Sequence, residues 1–543
     1  MDIAIRLHRR ELVRSAVGAS AAVGLGPAGC ARARDEAIVP WNPADGVRLA
    51  GPVSGLTSLD PALVRETGAM FLLQQLYRGL VSLDASLDPV PELAARLERS
   101  ADRLAYDVTL RPEAAFHDGR VVTPEDVLGS FTRALNPGTA GGDPTALAAV
   151  TFLRDIAGAE DLHTGSTGLL TGIEVTGDRT LTIRLDRPSP AFLTKLASVS
   201  ASIVDVAQVA DDPGWTDAPN GSGPFRLRSW NPGSVLELAA ADSWWAGRPE
   251  VAAIEVRLGT SATLPLNLYQ AGEVDLVWSV PAELVDLVQD PASGVDYGEL
   301  TRTGLFATAY IAFSNTVPPY DDPHVRRAIQ LAFPSDAIAG ATFDGAVVPA
   351  AGIVPPGMAG RDWRVDSPAV DVEAARAELA SSRYGSATAV PPMQIYAADI
   401  HPVEALRDVA NRELGLRIEA VQVNWPDFID GLVNHRFPAY SIFWSADYPD
   451  PESMIEMLFA TTSADNYTGY ANPELDDLLE QARREAGAAR LDLFARANQL
   501  LVDDVAVLPL YHDVGFALTR PGMAGLRVTP MGLLGLESLH GQA

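Results

Sequence analysis

Cysteine, lysine and positive charge are what this sequence has least of. Cys30 is the only cysteine and Lys195 the only lysine in 543 residues. A single cysteine excludes an internal disulfide and any cysteine-ligated metal cluster. The 41 Lys and Arg residues face 70 Asp and Glu, a formal net charge of −29. Duplex DNA, RNA and an anionic lipid surface would all repel such a protein, so none is expected as a partner. The same acidity serves solubility, or attracts cationic ligands. Eight histidines are scattered singly, which argues against a metal site, and no cofactor is expected. Three signatures are also missing. Without G-x-x-x-x-G-K-[ST] the chain has no phosphate-binding loop with which to hydrolyse ATP. Without H-E-x-x-H or G-x-S-x-G it lacks the grammar of a zinc peptidase or a serine hydrolase, and an enzyme is not expected.

The apolar fraction, by contrast, is ample at 47%. The chain is longer than one hydrophobic core can serve, so two or three domains are expected. It opens MDIAIRLHRRELVRSAVGASAAVGLGPAGC. Arg6, Arg9, Arg10 and Arg14 come first, a weakly apolar run over 15–25 follows, and Ala28 and Gly29 lead into Cys30. That is the order of an export signal over 1–29, and the run is shorter than the roughly 18 residues a membrane span needs. Cysteine after Ala-Gly resembles the lipobox of bacterial lipoproteins, whose cysteine takes a diacylglyceryl group and becomes the first residue. Pro27 departs from that motif, which prefers leucine there. Arg9-Arg10-Glu11-Leu12-Val13 resembles a twin-arginine signal, and the twin-arginine and general export routes both stay open. The G-x-G-x-x-G match over 24–29 would need a preceding strand and a following helix in a βαβ unit; it sits inside the expected export signal, which is removed, and is discarded. Residues 30–45 read as a polar tether.

Beyond the tether, strands and helices mix. YDVTLRP alternates Tyr106, Val108 and Leu110 with polar residues, a half-buried strand. GIEVTGDRTLTIRLD reads as a hairpin turning at Gly177-Asp178. TPEDVLGSFTRAL and NPELDDLLEQARREAG each start a helix with a capping residue followed by proline. AVLPLYHD reads as a short apolar strand. The class is a large α/β protein of mixed strand order, neither barrel nor repeat array.

In order along the chain stand SLDP (58–61), LYRGLVSLDASLDPVPELA, FHDGRVVTPEDVLGSF, NGSGPFRLRSW, YQAGEVDLVW, NTVPPYDDPHVRRAIQLAF, VPAAGIVPPGMAG and VLPLY. Together, over about 50–515, they resemble the family 5 extracellular solute-binding proteins, the large peptide-binding proteins of bacterial ABC importers. No single element is specific; their order is. The resemblance implies a periplasmic-binding-protein-like two-lobe clamshell with an extra inserted domain. It implies a first lobe of 46–77, 198–338 and 508–543, the inserted domain at 78–197, and a second lobe of 339–507. It further implies a monomer on the outer face of the cytoplasmic membrane or in the periplasmic space, lipid-anchored through Cys30. Such a protein captures short peptides and hands them to a permease powered by separate ATPase subunits. Related members take sugars, metal chelates or haem, and a sensor uncoupled from transport has the same sequence grammar.

FWSADYPDPESMIEMLF, residues 443–459, carries two aspartates three positions apart. Asp450 before Pro451 is explained locally as a helix cap. Asp447 ends an apolar segment beside Phe443, Trp444 and Tyr448, where a turn-forming carboxylate and a ligand-pairing one are equally open. The resemblance favours the second: WSADY matches the stretch whose aspartate pairs with the α-ammonium of a bound peptide. By the same matching, Arg65, Glu66 and Thr67 line the ligand, Ser314 and Asn315 present polar groups to its backbone, and His401 and Trp425 stand near side-chain pockets. Trp425 reads equally as core, and His401 as a solvated loop residue. His117 and Trp244-Trp245 read as structural. Where the oligopeptide binders carry arginines for the peptide carboxylate, this chain has Leu432 and Ser441. Either Arg65 holds that carboxylate from the other wall, or the ligand is not an ordinary free-ended peptide.

Overall fold

Local patterns place most elements directly. Tyr106, Val108 and Leu110 are buried along strand Ala105–Leu110. Thr123 caps helix Pro124–Leu135 in a full capping box with Asp126, and Asn472 caps Pro473–Arg484. The hairpin forms between Ile173–Gly177 and Thr180–Arg184, so Gly177 ends the first strand and the turn is Asp178-Arg179. The computed structural model describes residues 44, 46–51, 56–64, 67–259, 264–290, 297–336, 339–340 and 346–541. The export signal, Cys30 and nearly all of the tether lie outside the described residues.

A large mixed sheet organises the molecule. Its strands are β1 (Val47–Ala50), β2 (Phe225–Asn231), β3 (Val235–Ala240), β4 (Ala253–Arg257), β5 (Leu276–Val277), β6 (Glu299–Phe313), β7 (Met393–Ala397), β8 (Ile418–Gln422), β9 (Ala439–Ser445) and β10 (Val507–Thr519). They lie in the order β8-β7-β9-β6-β10-β5-β1-β4-β3-β2, with the short strand Val348–Pro349 beside β10. A separate four-stranded antiparallel sheet, drawn from Ala94–Arg99, Ala105–Leu110, Thr180–Arg184 and Ile173–Gly177, belongs to the inserted domain. That domain's core gathers Phe116, Phe131, Phe152 and Phe192.

β6 and β10 are the two strands shared by both lobes. β10 pairs with β5 at Leu518 and Thr519, and β6 pairs with β9 over Ala307 to Phe313. AVLPLYHD is therefore only the first half of a much longer strand, which continues because Val514, Phe516 and Leu518 keep the alternation. Pro509 has no N–H to give, and the ladder slips one register beside it, between Ala309 and Tyr310. A second slip falls between Gly304 and Thr308. The expected lobe boundaries at 338 and 508 are corrected by this: Ile311, Phe313, Val325 and Ile329 share a core with Ile395 and Leu406, as do Leu508 and Leu510. The chain crosses between lobes inside β6, near 304–308, and inside β10, near Asp513.

Four helices matter below: α1 (Thr67–Leu76), α2 (His401–Val409), α3 (Trp425–Val433) and α4 (Glu452–Phe459). α4 starts one residue later than the proline rule predicts, with Pro451 itself as cap residue. Asp450 still accepts the Glu452 N–H at 2.9 Å, and both its oxygens bond Arg490, each at 2.7 Å. Lys195 of the inserted domain reaches the same place, 2.8 Å from Asp155 and 2.6 Å from Glu452. Burial disfavours its charge, but Glu452 and Asp155 override that and hold the ammonium above its ordinary range.

Candidate functional site

Strand direction defines where a ligand can sit. β1, β4 and β5 run parallel to one another, and β7, β8 and β9 run parallel in the second lobe. β5 and β9 pair antiparallel to β10 and β6 respectively, which are themselves antiparallel. The carboxyl ends of the two parallel sets therefore face each other across the register slip between Gly304 and Thr308. Open α/β sheets hold ligands at such ends, where loops diverge.

Three loops of the second lobe leave from those ends. β7 runs into His401, β8 into Trp425 and β9 into Asp447. Asp447 is half-buried, two residues past β9, with the Ala446 N–H donating to the Phe306 carbonyl at 2.8 Å. Phe443 is 42% exposed and Trp425 56% exposed. Trp425 is thus not core; it stacks on Phe428 at 5.8 Å. Trp444 is half-buried against the second-lobe core. His401 opens α2 with its side chain 78% exposed and Nδ1 2.7 Å from Asp399. These five stand along one edge.

Three further expected residues, Ser314, Asn315 and Tyr448, do not join them. Ser314 and Asn315 follow β6, whose carboxyl end points the opposite way; with Phe313 opposite Ala439 and Ala307 opposite Ser445, they lie more than about 20 Å from the Asp447 corner at the usual strand rise. Their polar atoms serve the local turn, Asn315 donating to the Phe313 carbonyl and Ser314 bonding Thr316. Tyr448 is 3% exposed. Its hydroxyl donates to Glu452 at 3.0 Å and its ring edge meets Phe152, so it packs the inserted domain and faces away from the cleft. The chain leaves β9 at Ser445 and bends through 447–450, which turns Tyr448 toward the inserted domain. Arg65 and Glu66 lie outside the described residues, as does the side chain of Thr67. Leu432 and Ser441 are buried and offer no cation.

Two features were missed in the sequence. β7 pairs with β9 only at Tyr440 and Ser441, so among the described residues no strand covers that side of 442–445. An unpaired strand edge is a template for an incoming extended chain. The second feature is His512, buried where the lobes join. Its Nδ1 is 2.9 Å from the Thr308 hydroxyl, which in turn bonds the Ile353 carbonyl at 2.9 Å. Burial pulls the His512 pKa down to about 4, leaving a neutral ring. A lone histidine in LPLYHD gave no signal of this.

Two lobes joined by long shared strands, with the carboxyl ends of parallel strands facing each other across the junction, define a clamshell binding protein. The sequence profile of the bacterial extracellular solute-binding proteins, family 5, matches residues 88–466, and the chain belongs to that family. It is 29% identical over 484 residues to a probable di/tripeptide-binding protein of Pseudomonas aeruginosa, covering 83% of this chain and 87% of that one. It is 27% identical over 501 residues to heme-binding protein A of Haemophilus influenzae, covering 87% and 88%. Among solved structures, the murein tripeptide binding protein MppA of Escherichia coli superimposes with a TM-score of 0.76 at 22% identity, over 92% of this chain and 99% of that one.

Proposed function

We propose that this protein captures short peptides in the interlobe cleft and delivers them to an ABC permease, with ATP hydrolysed by separate subunits. Asp447 pairs with the peptide α-ammonium, and the edge at 442–445 adds the peptide as a strand. Main-chain pairing is blind to side chains, so one protein serves many peptides. Phe443, Trp444, Trp425 and His401 border the side-chain space. Closure of the lobes about β6 and β10 supplies the differential contacts that hold the ligand. Anchoring through lipidated Cys30 after export places the protein at the outer membrane face, as a monomer. No catalytic step is part of this reading.

The observation that carries the proposal is the uncovered edge of β9 leading straight into Asp447. Its test compares free tripeptides with their N-acetylated forms by calorimetry. Acetylation removes the ammonium and is expected to weaken binding at least about 100-fold, the scale of a buried charge left alone. Equal affinities would sink the ammonium anchor. The buried Leu432 and Ser441, together with a haem-binding relative, favour one second reading, a non-peptide ligand in the same cleft; it predicts that neither form binds.

A further inference from the structure

The sheet face that carries Phe443 also carries a second carboxylate. Phe443 stands opposite Ala309 and Ser445 opposite Ala307 on β6, and Ala309 stands opposite Tyr511 on β10. Two residues further along β10, alternation puts Asp513 on this same face. It is two strand spacings from Ser445, about 10 Å. The other face is closed at this level, because the Thr308 hydroxyl bonds both His512 and the Ile353 carbonyl, and Phe306 and Tyr310 belong to the second-lobe core. A ligand entering between the lobes therefore meets the Phe443–Asp513 side. Leu305 lies beside it, so close that a Cβ on Gly515 would stand 3.1 Å from its Cδ2.

Asp513 is half-buried. Burial pushes its pKa up, the Val514 N–H is its hydrogen-bond donor, and among the described residues no cationic side chain lowers it. A carboxylate placed so is costly until a cation arrives. We propose that Asp513 selects ligands with an arginine or lysine side chain among the first three residues of the peptide. The inference rests on the peptide reading and on the ammonium at Asp447, beyond Ser445, from which a long basic side chain spans to β10.

The test is calorimetry on the mature chain with trialanine-based peptides that carry arginine, or its neutral isostere citrulline, at position 1, 2 or 3. At one position arginine is expected to bind about tenfold tighter or more, as for a charge-assisted hydrogen bond. Asp513→Asn should erase that gap while leaving the citrulline peptide's affinity unchanged, which also shows that the variant is folded. Equal binding of arginine and citrulline at every position, or a gap that survives in Asp513→Asn, overturns the inference and leaves peptide capture standing. Failure of every peptide to bind overturns both.

Discussion

Lys195 and Glu452 form a buried ion pair, 2.6 Å apart, between the inserted domain and the helix that follows Asp447. Around it Tyr448 donates to Glu452, Ser189 and Lys195 bond Asp155, and Arg490 bonds Asp450. The segment that carries Asp447, the proposed anchor, thus docks into the inserted domain one residue later, through Tyr448. Removing one partner of such a network strands the others.

Lys195→Met is expected to cost about 3–5 kcal/mol of stability, since Asp155 and Glu452 stay buried with one cation fewer. Urea denaturation measures this, and pairing the change with Glu452→Gln should recover part of the loss. A cost under about 1 kcal/mol, the size of a surface pair, would contradict the network's importance.

Acid should weaken the same junction. Burial pushes the Glu452 pKa up, but Lys195 and then Arg490 outweigh it and hold the value at about 2, below its ordinary 4.5. A lowered acid contributes stability that is complete above its unfolded value and is lost as pH falls from about 4.5 toward 2. Chemical denaturation across that window should show the slope, and Glu452→Gln should flatten it.

His512 acts in a different window. Its pKa lies near 4 rather than 6.5, so the unfolded chain binds the extra proton first. Stability is complete above 6.5 and declines as pH falls to about 4, by about 3 kcal/mol across the interval. His512→Gln should remove that slope between pH 4 and 6.5 in denaturation curves. A slope that persists would place the titration elsewhere.

How much of this was legible in the sequence depends on distance along the chain. Helix starts at Pro124 and Pro473 and the alternation of Tyr106, Val108 and Leu110 are local, and local chemistry decides them. Ser314 and Asn315 were misplaced because strand direction within a sheet is a long-range property: β6 runs against β9, which no motif in either records. Tyr448 was grouped with Asp447 by adjacency, although the chain bends after β9 and packs Tyr448 against Phe152 and Glu452. The lobe crossings were put at 338 and 508, outside or at the start of β6 and β10, because those two strands carry one continuous pattern through both lobes. Lys195, the only lysine, carries no local motif that points to its partners Asp155 and Glu452, which are distant in sequence.

Asp447→Ala should leave the fold intact and cost about 3–5 kcal/mol of peptide affinity, by leaving the ligand ammonium without its counter-charge. Calorimetry with one free tripeptide checks it. Unchanged affinity would return Asp447 to a turn-forming role.

The central claim is best tested by native mass spectrometry of the mature protein purified from its own host, with fragmentation of whatever it releases. Peptide capture through Asp447 and the β9 edge predicts a ladder of short peptides of mixed sequence, all with free amino termini. A single non-peptide species would contradict that account, keeping the clamshell but stripping Asp447 of its role.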